Sequence, residues 1–407
     1  MSLLPVEDAL ARIFAHVPAP QAEWVPLADA AGRVLAAPLI AGHDQPPFAA
    51  SAMDGYAVRS ADFGTDPEKA RSVAVHLRGV SAAGKGFEGR IGPGETVRIF
   101  TGAPIPEGAD AVVMQEDAIV DGDAISFLSL PKPGRSVRPL GYDFKNGQDL
   151  LPAGFRLTPY ALTLAAAANQ HRLNVWKRPS ICILATGDEL VPPGSPLGRD
   201  QIVSSNSAGL IPLLSGHATA IVDLGIVGDD FAAVREKIEQ ALQSDIVVTT
   251  GGASVGDHDI VQDVLQDLGV SIDFWRINMR PGKPLMFGTR GKTLVFGLPG
   301  NPVSALVTAT VLVLPALNHW QQATNPDGTR LRLPLAAPLP ANGSRRHFLR
   351  ATLETANGMT AVRPNPETDS GHTSSLGRAQ ALVIQAENSE PLAAGSLVDV
   401  ILLPGFQ

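Results

Sequence analysis

The sequence predicts a multidomain protein of the α/β and β classes, built around a central doubly wound α/β domain. Three observations predict it. Residues 178–321 alternate apolar strand-like runs with helices of 3.6-residue period, the pattern of a sheet covered on both faces. Residues 43–143, and those from about 329 onward, instead break into short β-type runs between Gly, Pro and Asp turns. Finally, three Gly/Pro loops gather inside the α/β stretch: Thr250-Gly-Gly-Ala-Ser-Val-Gly-Asp257, Arg280-Pro-Gly-Lys-Pro284 and Gly297-Leu-Pro-Gly-Asn-Pro302. In an open α/β sheet, loops at the carboxyl ends of strands line the ligand crevice.

In chain order, residues 5–16 read as a helix, with Pro5 suited to a first turn and Val6, Leu10, Ile13 and Phe14 on one face. The β region follows, with runs at Ser72 to Leu77, Glu95 to Ile99, Ala111 to Met114 and Ala124 to Leu128. A helix over 158–169 starts from a capping Thr158 and a first-turn Pro159. The α/β domain then reads strand 181–185, helix 206–216, strand 218–226, helix 230–243, strand 245–249 and helix 258–268. Further strand-like runs lead to a helix carrying Val303, Leu306, Val307, Val311 and Leu314. A terminal β domain ends in Ser396 to Leu403.

At 407 residues the chain is too long for one ordinary domain. A formal charge of −8 gives no support for nucleic-acid binding. The single cysteine, Cys182, excludes a disulfide framework or a cysteine-based metal site within one chain, and reads as a small buried hydrophobe. Glu7 and Asp8 and the lack of a long apolar segment argue against a signal peptide. The longest apolar helix, near 303–317, is interrupted by Ser304, Thr308, Thr310 and Pro315, so no membrane span is expected and the cytoplasm is the expected location. The histidines show no metal-ligand spacing.

The glycine loops point to a phosphorylated or oxyanionic ligand. Glycines let backbone N–H groups approach an anion, and the helix N-termini that follow favour negative charge. Candidate contacts are Gly251, Gly252, Ser254 and Gly256, then Arg280 and Lys283, then Pro299 and Asn301; Arg276, Arg280 and Lys283 supply local positive charge in an acidic chain. The first loop lacks the Gly-Lys-Ser/Thr ending of a phosphate-binding Walker loop. A plain strand-to-helix turn is its structural alternative, with Asp257 as a cap and Asp259 favoured by the helix dipole. A metal role for Asp259 is the functional reading. Glu189, in Thr186-Gly-Asp-Glu-Leu190, would face the same crevice, where a carboxylate holds Mg²⁺ or moves protons. Ser51-Ala-Met-Asp-Gly-Tyr-Ala57 and Arg98 to Gly108 read structurally as a β-turn and a proline-rigid loop.

Taken together and in order, SAMDGYAV (51–58), RIFTGAPIPEGADAVVMQE (98–116), ATGDEL (185–190), GGASVGDHD (251–259), RPGKP (280–284) and GLPGNPVSA (297–305) resemble the MoeA family of molybdopterin molybdenumtransferases, whose relatives include the gephyrin E domain. The resemblance spans essentially the whole chain. It implies an elongated homodimer and four domains: a discontinuous, dimerising domain I (1–43 and 144–177), a β insertion domain II (44–143), a MogA-like, molybdopterin-binding domain III (178–328) and a C-terminal β-barrel-like domain IV (329–407).

The resemblance also implies a reaction: molybdenum from molybdate enters adenylylated molybdopterin, and AMP leaves. By the same resemblance, Asp54, Thr101, Asp143 and Glu189 are the catalytic positions. Asp229 and Asp259 are acidic positions near Mg²⁺, and Arg345 with Ser374 and Ser375 resembles a molybdate-binding arginine and serine. Molybdopterin adenylyltransferase and apo-molybdoenzymes are the implied partners, with no nucleic acid and no membrane. The chain departs from the pattern in having Arg280 where many relatives carry lysine, and Ala49 where they carry aspartate. Adenylyl transfer and gephyrin-type scaffolding are the alternatives. The four-domain length opposes the first, and the carboxylates at Asp54, Asp143 and Glu189 oppose the second.

Overall fold

The computed structural model describes residues 3–252, 260–326, 330–356 and 358–405. Its centre is a six-stranded sheet in the order Ala220–Val227, Ser180–Thr186, Ile246–Thr250, Thr293–Leu298, Met286–Arg290 and Ser271–Trp275. The first three pairings are parallel and the last two antiparallel. From Ser180–Thr186 the chain winds first to one side and then to the other. That reversal puts the switch point between Ser180–Thr186 and Ile246–Thr250, where ligand crevices form in such sheets.

Strand alternation divides the core. Ile181, Ile183, Ile246, Val248, Leu294 and Phe296 face one layer; Cys182, Leu184, Val247 and Val295 face the other. The first layer receives Asn206–Ser215 and the apolar helix Pro302–Trp320. The second receives Phe231–Ala241, whose cap Asp230 accepts from Ala233 N–H at 2.9 Å, and Ile260–Asp267. Cys182 is buried as its sequence context predicts, and burial followed by the charge of Asp223 pushes its thiol up to about 11.

The apolar helix runs Pro302–Thr308, a wide π-type stretch Ala309–Val313, then Leu314–Trp320. Pro315 has no N–H to offer the preceding turn and its ring crowds that turn, and a local widening relieves both. This helix is long and apolar enough to cross a membrane, but 72% of its most apolar window is buried in the protein.

Around this centre, Ala22–Pro26 pairs with Arg172–Trp176, and Leu39–Ile40 with Asp149–Leu151. With helix Pro159–Ala167, capped by Thr158 Oγ1 accepting from Ala161 N–H, they enclose Leu35, Leu157, Ala165 and Val175. Two distant chain segments thus share one small core. Between them lies a second six-stranded sheet, ordered Ala111–Met114, Gly55–Val58, Glu95–Ile99, Val75–Ser81, Ala124–Phe127 and Ala118–Asp121. The C-terminal sheet joins Arg346–Ala356, Ala381–Gln385, Leu397–Leu402 and Arg330–Pro334, with Met359–Pro364 beside Arg346–Ala356. Its first strand is Met279–Arg280, lent by the central region and parallel to Arg346–Ala356.

Some elements depart from the sequence expectation. The run expected at Ser72 starts as strand only at Val75, because Asp66 caps a helical turn, Pro67–Ala70. Gly55, expected in a turn, opens a strand; a Cβ there would lie 1.9 Å from Val113 O, so the paired strands close only around glycine. Helix Val6–His16, grouped by sequence with residues 17–43, instead seats Val6, Ala9, Leu10 and Ile13 in the central core. Arg12 to Asp273 (3.3 Å) and an ion pair of Glu7 with Arg346 hold it there.

Candidate functional site

A cleft of about 760 Å³ opens at the switch point, between the central sheet and the C-terminal sheet. Gly251 and Gly252, directly after Ile246–Thr250, line it. Gly251 and Gly252 have φ of +89° and +63°, and a Cβ on them would sit 2.2 Å from Thr186 O and 2.4 Å from Val261 Cγ2. Only glycine allows the chain to turn this close to its neighbours. Ser254, Gly256 and Asp259 lie outside the described residues.

Charge divides the cleft. On one side are Glu189 and Asp229. Asp188 Oδ1 accepts from the Asp229 N–H at 2.9 Å, and the Asp229 carboxyl is pushed above the usual carboxylate range by partial burial, then by the charges of Asp188 and Glu189. On the other side are Arg280, Lys283 and Arg345. Their field reaches His347, buried next to them, whose imidazole is pulled down to about 4 by burial, then by Arg280, Arg350 and Arg345. Carboxylates facing guanidinium and ammonium groups suit an anion bound together with a cation.

The C-terminal sheet supplies a wall that sequence reading missed. Thr368, Asp369 and Ser370 line the cleft. Arg350, only 4% exposed, donates to Asp369 O at 3.0 Å and to Glu367 O, which pins this loop. Arg280 Nη2 donates to Thr368 Oγ1 at 3.0 Å, and Asn301 Nδ2 to Ser370 Oγ at 2.9 Å, closing the cleft across the two sheets. Asn206 and Thr186 also line it. Asn206 Oδ1 and Thr186 Oγ1 are buried without a hydrogen-bond partner among the described residues. Buried polar atoms left unpaired are costly and mark places where a ligand or water completes the bonding.

The sequence candidates therefore separate into groups. Glu189, Asp229, Gly251, Gly252, Arg280, Lys283, Pro299, Asn301 and Arg345 converge on the cleft. Ser374 and Ser375 do not. Ser374 is exposed and Ser375 is buried, its Oγ donating to His372 O at 2.7 Å in the turn Thr373–Leu376. Ser370, earlier in the same loop, takes the cleft position instead. Arg276 also stands apart, with its guanidinium 6.0 Å from the Trp275 ring centroid.

Asp54, Thr101 and Asp143 lie off this cleft, in the β insertion sheet and the segment leaving it. Asp54 accepts from Thr101 twice, from its N–H at 2.7 Å and its Oγ1 at 2.8 Å. Those bonds hold the Asp54 carboxyl below the usual range. Beside them Arg98 donates to Gly55 O at 2.9 Å and lies 5.1 and 5.0 Å from the Tyr56 and Phe100 ring centroids, fixing both ends of the turn. Asp143 is exposed, on a turn tied by its N–H to Gln45 O at 2.8 Å. Among the described residues, no group of three or more His, Cys, Asp and Glu side chains is arranged to hold a metal by protein atoms alone.

Comparison with known proteins finds matches along most of the chain. The MoeA N-terminal region (domain I and II) matches residues 4–169, a probable molybdopterin binding domain matches 182–319, and the MoeA C-terminal region (domain IV) matches 332–403. A molybdopterin molybdenumtransferase of Haemophilus influenzae is 39% identical over 78% of this chain and 78% of its own. One of Nostoc sp. is 35% identical over 94% of this chain and 89% of its own. The crystal structure of a molybdopterin biosynthesis MoeA protein from Pyrococcus horikoshii OT3 superposes with a TM-score of 0.83 at 29% identity, covering 98% of this chain and 100% of that one. With all three regions matched in order, and with relatives above 30% identity along most of its length, the chain belongs to the MoeA family of molybdopterin molybdenumtransferases.

Proposed function

We propose that this transferase inserts molybdenum from molybdate into adenylylated molybdopterin and releases AMP. The observation that carries the reading is the divided cleft: Arg280, Lys283, Arg345 and the Gly251-Gly252 turn line the same space of about 760 Å³ as the carboxylates Glu189 and Asp229. Both substrates are anions. Arg280 and Lys283 neutralise the nucleotide phosphates, while Gly251 and Gly252 let backbone approach them. Arg345 and Ser370 provide donors for an oxyanion, and Thr186 and Asn206 offer unpaired oxygens as acceptors.

Asp229 supplies a hard oxygen donor, and a bound cation would relieve its repulsion with Asp188 and Glu189, so it fits Mg²⁺; Asp259 is the other candidate from sequence. Bound there, Mg²⁺ supplies Lewis acidity toward the phosphate link. Oxo loss from molybdate as water needs protons, and we assign their delivery to Glu189, which lines the cleft. Asp54 is a poor proton donor and a weak base, because Thr101 stabilises its charged form; its role is that of a standing anion. Since Asp54, Thr101 and Asp143 lie off the cleft, a homodimer in which the partner's insertion sheet closes the cleft accounts for all the candidates.

The test is reconstitution of the purified protein with adenylylated molybdopterin, molybdate and Mg²⁺. AMP release that depends on molybdate, together with a product that activates an apo-molybdoenzyme, supports the reading. ATP consumption with adenylylation of free molybdopterin points to the adenylyltransferase alternative. Substrate binding without turnover points to scaffolding.

A further inference from the structure

A second cleft, of about 420 Å³, lies where the discontinuous unit, the long apolar helix and the C-terminal sheet meet. Arg156, His217, Asn318 and Asn325 line its polar part, and Leu314 and Leu402 its apolar part. It shares no lining residue with the functional cleft.

Its charge is unbalanced. Arg156 donates to Gly32 O at 2.7 Å and to Asn318 Oδ1 at 2.8 Å, both neutral acceptors. Behind it, Arg178 reaches only Ala31 O, at 3.5 Å. Among the described residues neither guanidinium forms an ion pair. The nearby carboxylate, Glu23, is paired with Arg33. Burial lowers the proton affinity of Arg156, and burial followed by Arg33 and Arg156 pulls Arg178 down to about 10. The imidazole of His217 is pulled down to about 3 by burial, then by Arg156 and Arg178. Its Nδ1 is buried without a partner among the described residues. Half-buried cations without a counter-charge are costly, and an anion in reach repays desolvation that neutral carbonyls do not.

We propose that this junction cleft is a second anion-binding site, taking the phosphate or carboxylate group of a small molecule. Its volume lies within the roughly 300–1,000 Å³ of small-molecule sites, and it joins an apolar wall to a few convergent polar groups as such sites do. Arg156 holds the anion by the N–H groups it does not give to Gly32 and Asn318. Leu314 and Leu402 cover the apolar body. An occupant touches all three structural regions, so its binding stabilises their arrangement by mass action.

Titration calorimetry and thermal unfolding with inorganic phosphate test the proposal, with acetate as the carboxylate probe. The functional cleft is also basic, so Lys283→Ala serves as the reference protein. Phosphate or acetate should still bind it, raise its melting temperature, and shift the His217 imidazole resonances at neutral pH. Arg156→Gln should weaken that binding tenfold or more. Should Arg156→Gln fail to fold, Asn325→Asp, on the exposed lining loop, gives the answer by another route. Its carboxylate supplies the missing charge, so it should raise the melting temperature and abolish the response to phosphate. Absence of both the thermal response and the His217 shift at tens of millimolar of either anion overturns the proposal, as does a response that Asn325→Asp leaves unchanged.

Discussion

Asp54 and Asp229 are the two carboxylates whose surroundings push them in opposite directions. Asp54 is held below its ordinary value by the Thr101 backbone and side-chain bonds. A depressed acid contributes stability above its unfolded value, near 3.8, and loses it as pH falls through the folded value. Thr101→Val should therefore raise the Asp54 pKa and lower stability at neutral pH, with the two proteins converging in acid. Carbon-detected titration of the carboxyl and melting curves from acid to neutral pH measure this; the Thr101 N–H bond remains in the variant, so an unmoved Asp54 removes the Thr101 hydroxyl from the account. For Asp229 the sign reverses. Its raised value means that the charged form is penalised in the fold, a cost absent in acid and full at neutral pH. Asp229→Asn should thus be more stable than wild type at neutral pH and indistinguishable in acid. It should also lose stabilisation by Mg²⁺. Equal Mg²⁺ responses in the two proteins would show that Asp229 holds no cation. At this scale the sequence disclosed the residues with motif neighbours, such as Glu189 and Lys283. It did not disclose Asn206 or Ser370. Their side chains matter only through what packs opposite them, and nothing local in Ser204-Ser-Asn-Ser207 or Thr368-Asp-Ser370 distinguishes them from surface turns.

Elements were legible where one periodicity ruled. The inner strands Ser180–Thr186 and Ile246–Thr250 have both faces buried, and their apolar runs place them to within a residue. Gly55–Val58 escaped because Asp54-Gly55 looks like a turn, while the close approach of Val113 that requires glycine is visible only in three dimensions. The same holds for the helix Val6–His16. Its amphipathic stripe is plain in sequence, but the layer that receives it is formed by residues nearly three hundred positions away. The loop after Ile246–Thr250 gives the sharpest prediction for an element. Gly251→Ala must place a side chain at φ +89° and 2.2 Å from Thr186 O. Strain of this kind costs about 1–3 kcal/mol. Urea unfolding should show a loss of that order, and nucleotide binding should weaken with it. Wild-type stability and affinity would mean that the backbone at Gly251 relaxes freely and does not shape the cleft.

For the whole molecule, the structure distributes the candidate residues over two places in one chain. The cleft carries Glu189, Asp229, Arg280, Lys283 and Arg345, and the insertion region carries Asp54, Thr101 and Asp143. Closed two-fold pairing is the commonest way for one chain to bring two such surfaces together. Light scattering at micromolar concentration should return about twice the chain mass of 42.6 kDa, and a fully active monomer contradicts the pairing. The motif order in the sequence signalled the family, but not which motifs share a cleft, because that depends on contacts far apart in the chain and on any pairing of chains. Complementation tests the shared site most directly. Glu189→Gln and Asp54→Asn each remove an ionisable group from one surface, and each alone should slow molybdenum insertion by roughly 10²-fold or more. In a randomly mixed population of the two variants, half the dimers are mixed, and each mixed dimer has one cleft with intact Glu189 facing an intact Asp54. Single-turnover AMP release from the mixture should then recover to about a quarter of the wild-type amplitude, by two-fold pairing statistics. A mixture no more active than the separate variants, after exchange of subunits has been verified, contradicts the shared site and returns both sets of residues to a single chain.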